Sequence, residues 1–265
     1  MKEKIWQHVL AVREKSPLVQ NITNYVVMNN SANALLAIGA SPIMAHALPE
    51  IKNMAAICQS IVINIGTLDE YWVESMLMAA QEANNLNKPW ILDPVGAGAT
   101  SYRNEVLEKL VALRPTIIRG NASEILSLAK YSQAQTKGVD STSQSTEAVD
   151  AAIFLNKTFG AIVCISGAID IIVSGSQKAY LSNGDPLMTK VTGLGCSSTA
   201  VIGAFAAIIE NKFEATIAAM SLFSIAGEIT AKNSLGPGSL QLNILDKLYN
   251  MNDKEFMHHI QLKID

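Results

Sequence analysis

The sequence predicts an α/β fold, with a mostly parallel central sheet and helices on both faces. Three observations carry that reading. Short β-rich apolar runs alternate with helix-patterned stretches. No Pro/Gly/Ser linker, charge block or low-complexity segment interrupts the 265 residues, and the last third turns Ala-rich and apolar. Strand–helix alternation predicts right-handed crossovers onto both faces of a parallel sheet. The length suits one large domain with a sizeable core, so residues 1–265 are read as a single domain.

Taken in order, residues 1–15 (MKEKIWQHVLAVREK) alternate charge with apolar residues as an amphipathic helix does, and they lack the form of a secretion signal. The runs at 41–45, 61–65, 90–93, 116–119 and 161–166 read as strands. The runs at 171–174 and 178–181 follow closely, like a hairpin. Helical patterns fill the intervals at 29–39, 68–86, 104–113, 122–130 and 148–158. Residues 197–211 and 214–232 are apolar over most of their circumference, as buried helices are. The segment 233–239 (NSLGPGS) breaks the pattern before a final amphipathic helix.

Composition narrows the function. A formal net charge of -3 gives no electrostatic footprint for nucleic acid or an anionic membrane. No apolar run is read as reaching the roughly 18–20 residues of a membrane span. Three scattered cysteines argue against a disulfide framework, and the four histidines show no zinc spacing with them. The chain is read as cytoplasmic. With 49% hydrophobic and 16% charged residues, it suits strands covered on both faces or a subunit interface. A Walker A motif, a protein-kinase H-R-D or D-F-G set and a Ser-His-Asp grouping are all missing from the sequence.

In open α/β sheets, ligands sit beyond the carboxyl ends of the strands, so the informative residues follow the apolar runs. Gly193, Leu194, Gly195 and Cys196 lead into an apolar helix. Glycines let backbone approach a ligand, and a helix start offers unpaired N–H groups with a positive dipole end, an anion hole for a transferring phosphoryl group. Cys196 in the first turn is a candidate base, because a dipole there lowers a thiol pKa. A glycine turn with a buried, inert cysteine stands beside that reading. Asp93 closes a strand ahead of Pro94 and is placed either for Mg2+ or to cap the next turn. Asn121 and Glu124 have the spacing of a capping box, while Glu124 could instead hold metal-bound water and Arg119 contact phosphate.

Seven segments in order resemble the ribokinase-like superfamily and, within it, the hydroxyethylthiazole kinase family. They are SPLVQNITNYVVMNNSANALLAIGASPIMA (16–45), NIGTL (64–68), ILDPVGAGAT (91–100), IRGNASEI (118–125), KGVDS (137–141), TKVTGLGC (189–196) and GPGS (236–239). The resemblance implies Mg-ATP-dependent phosphorylation of the hydroxyethyl group of 4-methyl-5-(2-hydroxyethyl)thiazole, in thiamin salvage. It implies that Asp93 and Glu124 serve the Mg2+ site and that Arg119 and Ser166 contact ATP. It places Met44, Asn24, Gly66 and Gly193 around the thiazole, in a pocket completed across subunits of a homotrimer. Most of the superfamily carries G-x-G-D where this chain reads Gly193-Leu194-Gly195-Cys196, and cysteine there narrows the match to the thiazole kinases. Three other readings remain at this point: a kinase for a pyrimidine alcohol or sugar, an ATP-using lyase of nicotinamide hydrate, and a catalytically inactive nucleotide-binding regulator.

Overall fold

The computed structural model describes residues 1–134 and 144–265, so the KGVDS segment lies outside the described residues. The strands are β1 Leu18–Ile22, β2 Ser41–Ile43, β3 Ser60–Asn64, β4 Trp90–Asp93, β5 Ile117–Asn121, β6 Ile162–Ser166, β7 Asp170–Ser174, β8 Gln177–Leu181 and β9 Leu262–Ile264. The helices are α1 Lys2–Lys15, α2 Met28–Ala37, α3 Ile51–Ile57, α4 Glu70–Asn85, α5 Ser101–Ala112, α6 Ala122–Ala134, α7 Gln144–Phe159, α8 Leu194–Ile208, α9 Lys212–Ala231, α10 Pro237–Asn250 and α11 Asp253–His259.

The described strands join in one sheet ordered β2-β1-β3-β4-β5-β6-β7-β8-β9. The strands from β2 to β6 run parallel, and β6 through β9 pair antiparallel. Alternation along each strand builds two cores. On β4, Ile91 faces the layer that holds α1, α2 and α8 to α11, while Trp90 and Leu92 face the layer of α3 to α7. Helix α10 shows the helical counterpart, burying Leu240, Ile244 and Leu248 one turn apart. This is the predicted parallel α/β sheet.

Three elements escaped the sequence reading outright, and the 7-residue α11 was not separated from the final amphipathic helix. Strand β1 carries Gln20 and Asn21, which the sheet buries completely, so its polar centre hid it. Helix α3 and strand β9 are too short, at 7 and 3 residues, to show a period. A further difference concerns length. At 20 residues α9 is long and apolar enough to cross a membrane, but 89% of that window is buried inside the fold. Its hydrophobicity serves the core.

One contact positions the site. A Cβ at Gly203 of α8 would stand 2.5 Å from Val62 Cγ2 of β3, and Ser60 donates to the Gly203 carbonyl at 2.7 Å. Glycine there lets α8 lie directly on β1 and β3, which aims its first turn at their carboxyl ends.

Candidate active site

The turn before α8 has the geometry its glycines predict. Gly193 is the N-cap, with φ +81°, and a Cβ there would lie 2.4 Å from Val27 Cγ1. Both the left-handed backbone and the close approach demand glycine. Ser197 N–H bonds back to the Gly193 carbonyl at 2.8 Å. The amides of Leu194, Gly195 and Cys196 precede the helical ladder, as at any helix start, and give the turn its anion-receptive character. A Cβ at Gly195 would lie 2.6 Å from Arg119 Nη1, so the guanidinium rests against the turn.

A cavity of about 620 Å³ opens beside this turn. Arg119, Asn121, Ser166 and the residues Gly193 to Gly195 line it, together with Met188 and Phe223. Ser166 reaches the Gly120 carbonyl at 3.4 Å. Arg119 and the turn give the lining cationic and polar groups, and Met188 and Phe223 give it apolar surface suited to a flat ring.

Behind the turn lies a buried polar chain. Asn24 Nδ2 donates to Asn64 Oδ1 at 2.8 Å and approaches Cys196 Sγ at 3.6 Å. Asn64 Nδ2 donates to Asp93 Oδ2 at 2.7 Å, and the Thr199 hydroxyl donates to the same oxygen at 2.8 Å. Gly66 N–H bonds to Asn64 Oδ1 at 2.9 Å, and a Cβ at Gly66 would lie 2.5 Å from Asn24 Nδ2. Asn24, Gly66 and Cys196 therefore form one cluster, and none of them lines the cavity bordered by Arg119 and Ser166. Met44 follows β2, half-buried near the outer edge of the sheet, and is brought to the same end without joining this cluster by a hydrogen bond.

Asp93 is fully buried, and burial pushes its pKa up to about 6, against the pull of Arg119 and with the push of Glu124. Among the described residues its Oδ1 finds no hydrogen-bond partner, and neither does the buried Arg119 Nε. Cys196 runs opposite to the expectation of a lowered thiol pKa. Burial and the nearby Asp93 charge push the thiol up to about 11, outweighing the bonds from Asn64 and Asn24 and the charge of Arg119. The cost of removing water from a thiolate here exceeds what a helix start returns to it.

The capping box at Glu124 is present. Its N–H bonds to Asn121 Oδ1 at 2.9 Å, and its Oε2 accepts the Asn121 N–H at 2.8 Å. Oε1 accepts Gly96 N–H at 3.1 Å, which ties the turn following Asp93 to α6. Among the described residues, no group of three or more His, Cys, Asp and Glu side chains stands close enough to cage a metal ion. A cation bound here would rest on Asp93 Oδ1, whose orphaned buried oxygen fits that role, and on Glu124 through water.

Two hubs of this site, Asn64 and Thr199, went unassigned in the sequence reading. Asn64 closes β3 much as Asp93 closes β4, and Thr199 stands three residues past Cys196 on the same helical face. Those positions were the available signals.

The hydroxyethylthiazole kinase family model matches residues 9–254. The hydroxyethylthiazole kinase of Leptospira biflexa is 56% identical over 91% of this chain and 90% of its own. The structure of the Pyrococcus horikoshii hydroxyethylthiazole kinase superposes with a TM-score of 0.92 at 38% identity, covering 99% of each chain. Staphylococcus aureus pyridoxal kinase, at 16% identity and a TM-score of 0.65 over 94% of this chain and 97% of its own, shares the ribokinase-like fold. By fold, by sequence and by the site at its strand ends, this chain belongs to the hydroxyethylthiazole kinase family and is a kinase acting on an alcohol group.

Proposed function

We propose that the chain transfers the γ-phosphate of ATP to the hydroxyl of 4-methyl-5-(2-hydroxyethyl)thiazole, with residues 1–265 working as one kinase domain in the cytoplasm. One observation supports the reading: the Gly193–Cys196 turn borders a cavity of about 620 Å³ through Gly193 to Gly195 and meets the Asn24–Gly66 cluster through Cys196. ATP occupies the cavity, with Arg119 and Ser166 on its phosphates. The thiazole lies against Asn24, Gly66, Gly193 and Met44, where a thioether suits a neutral aromatic ring.

The alcohol oxygen attacks the γ-phosphorus in line, the bond to the β-phosphate oxygen breaks, and the products are the thiazole phosphate and ADP. The amides of residues 193–196 hold the equatorial oxygens of the phosphoryl group as charge spreads over them. The alcohol proton passes to Cys196 in its thiolate form. Asp93, at about 6, is an anion at neutral pH and with Glu124 provides the Mg2+ site. When bound, Mg2+ screens the phosphate charges and orients them.

Exposed apolar side chains beside Asn24, among them Tyr25 and Val26 at 61% each, support a homotrimer in which a neighbouring subunit completes the thiazole pocket around Met44. Light scattering that gives a monomer removes the shared pocket. Incubation with Mg-ATP and a panel of thiazole, pyrimidine and sugar alcohols, read by mass spectrometry, tests the activity. Phosphate appearing on a sugar and not on the thiazole overturns it.

A further inference from the structure

The segment from Asn183 to Val191 contributes a wall of the cavity, and it is anchored by residues outside the lining. Asn183, only 4% exposed, donates through Nδ2 to Glu228 Oε2 at 2.7 Å and to the His259 carbonyl at 2.8 Å. Its Oδ1 accepts the Gln261 N–H at 2.9 Å. The second Glu228 oxygen meets His259 Nδ1 at 3.0 Å, and the Gly184 N–H also bonds to this carboxylate. Although burial opposes its charge, the bonds from Asn183 and His259 hold Glu228 below the ordinary carboxylate range. One residue earlier on α9, a Cβ at Gly227 would stand 2.2 Å from Met188 Sδ, so Met188 is seated on the helix backbone. Asn183, Gly184 and Met188 line the cavity, while Glu228 and His259 stand behind them.

We infer that Glu228, acting through Asn183, is a positioning residue for the nucleotide wall, with residues 259–261 of the C-terminal segment as its buttress. The inference deepens the reading of this cavity as the ATP site and rests on it. A charged acceptor that fixes one side chain and one backbone amide of the wall makes that wall rigid before ATP arrives, and such preorganisation acts on affinity.

The test compares Glu228→Ala, Asn183→Ala, the double variant and Glu228→Gln, reading KM for ATP, KM for the thiazole and ADP binding by calorimetry. Glu228→Ala is expected to raise the ATP KM and the ADP Kd about tenfold, while the thiazole KM stays within about twofold. The double variant should add little to either single change, because both remove one linkage. Glu228→Gln should recover most of the affinity, since its amide oxygen still accepts from Asn183. If Glu228→Ala does not fold, Asn183→Asp sets like charges together and carries the same expectation. Unchanged ATP KM, or ATP and thiazole KM rising in parallel as in a general loosening, overturns the inference. Arg119→Ala distinguishes the other failure: if it leaves ADP binding intact, the cavity is not the nucleotide site.

Discussion

Raising the pH from 7 to 9 tests the role of Cys196 directly. With the thiol at about 11, the thiolate fraction at pH 7 is on the order of 10^-4 and grows about tenfold per pH unit. General base catalysis by a positioned group contributes roughly 10^2 to 10^4 in rate, so at neutral pH the scarcity of thiolate cancels most of the gain. Cys196→Ala should therefore slow turnover only a few-fold at pH 7 and by more than about tenfold at pH 9, with thiazole KM preserved. On the proposed mechanism the acid limb is assigned to Asp93, whose carboxyl is pushed up to about 6 and would be required as an anion. The assay is coupled ADP release from pH 6 to 9.5 in wild type and variant, with coupling enzymes in excess. A flat wild-type profile above pH 7, or an equal slope in Cys196→Ala, refutes the proton-acceptor role and leaves Cys196 as packing beside the anion site.

Other perturbations test the remaining parts. Glu124→Gln should weaken the dependence of turnover on Mg2+; an unaltered metal titration leaves Glu124 only its bonds to Asn121 and Gly96. Asp93→Asn should abolish activity yet stabilise the fold. An acid raised from 3.8 to about 6 is mostly protonated in both states below about pH 3, so its penalty appears as pH rises through 4 to 6 and is complete at pH 7, where it is on the order of 3 kcal/mol. A melting temperature raised at pH 7 and unchanged near pH 3 is the expected result; no gain at pH 7 means the buried charge is compensated. Gly203→Ala should cost about 1–3 kcal/mol in urea denaturation, because its methyl meets Val62, and a neutral substitution shows that α8 lifts freely. Gly193→Ala combines a φ of +81° with contact against Val27 and should abolish turnover even where the fold survives.

The sheet from β3 to β8 was legible because its strands are apolar runs of ordinary length flanked by periodic helices, a pattern that survives without tertiary context. Strand β1 was not, since Gln20 and Asn21 take their buried place only once neighbours enclose them. At the site, Asp93, Arg119, Glu124, Ser166 and the Gly193–Cys196 turn could be named because they follow strands or open helices. Asn64 and Thr199 could not, because bonding to one Asp93 oxygen from β3 and α8 is a property of the packed molecule.

What sequence alone determined is local and periodic: the α/β class, the strand-end residues, and a glycine turn that only glycines permit. Tertiary structure decided everything that depends on distance and solvent. It assigned both oxygens of Glu124 to backbone amides, placed Arg119 against Gly195, and reversed the expected shift of Cys196. Desolvation is the reason, because the ionisation of a group depends on how much water the rest of the chain removes from around it. The residue type and its immediate neighbours in sequence do not contain that quantity.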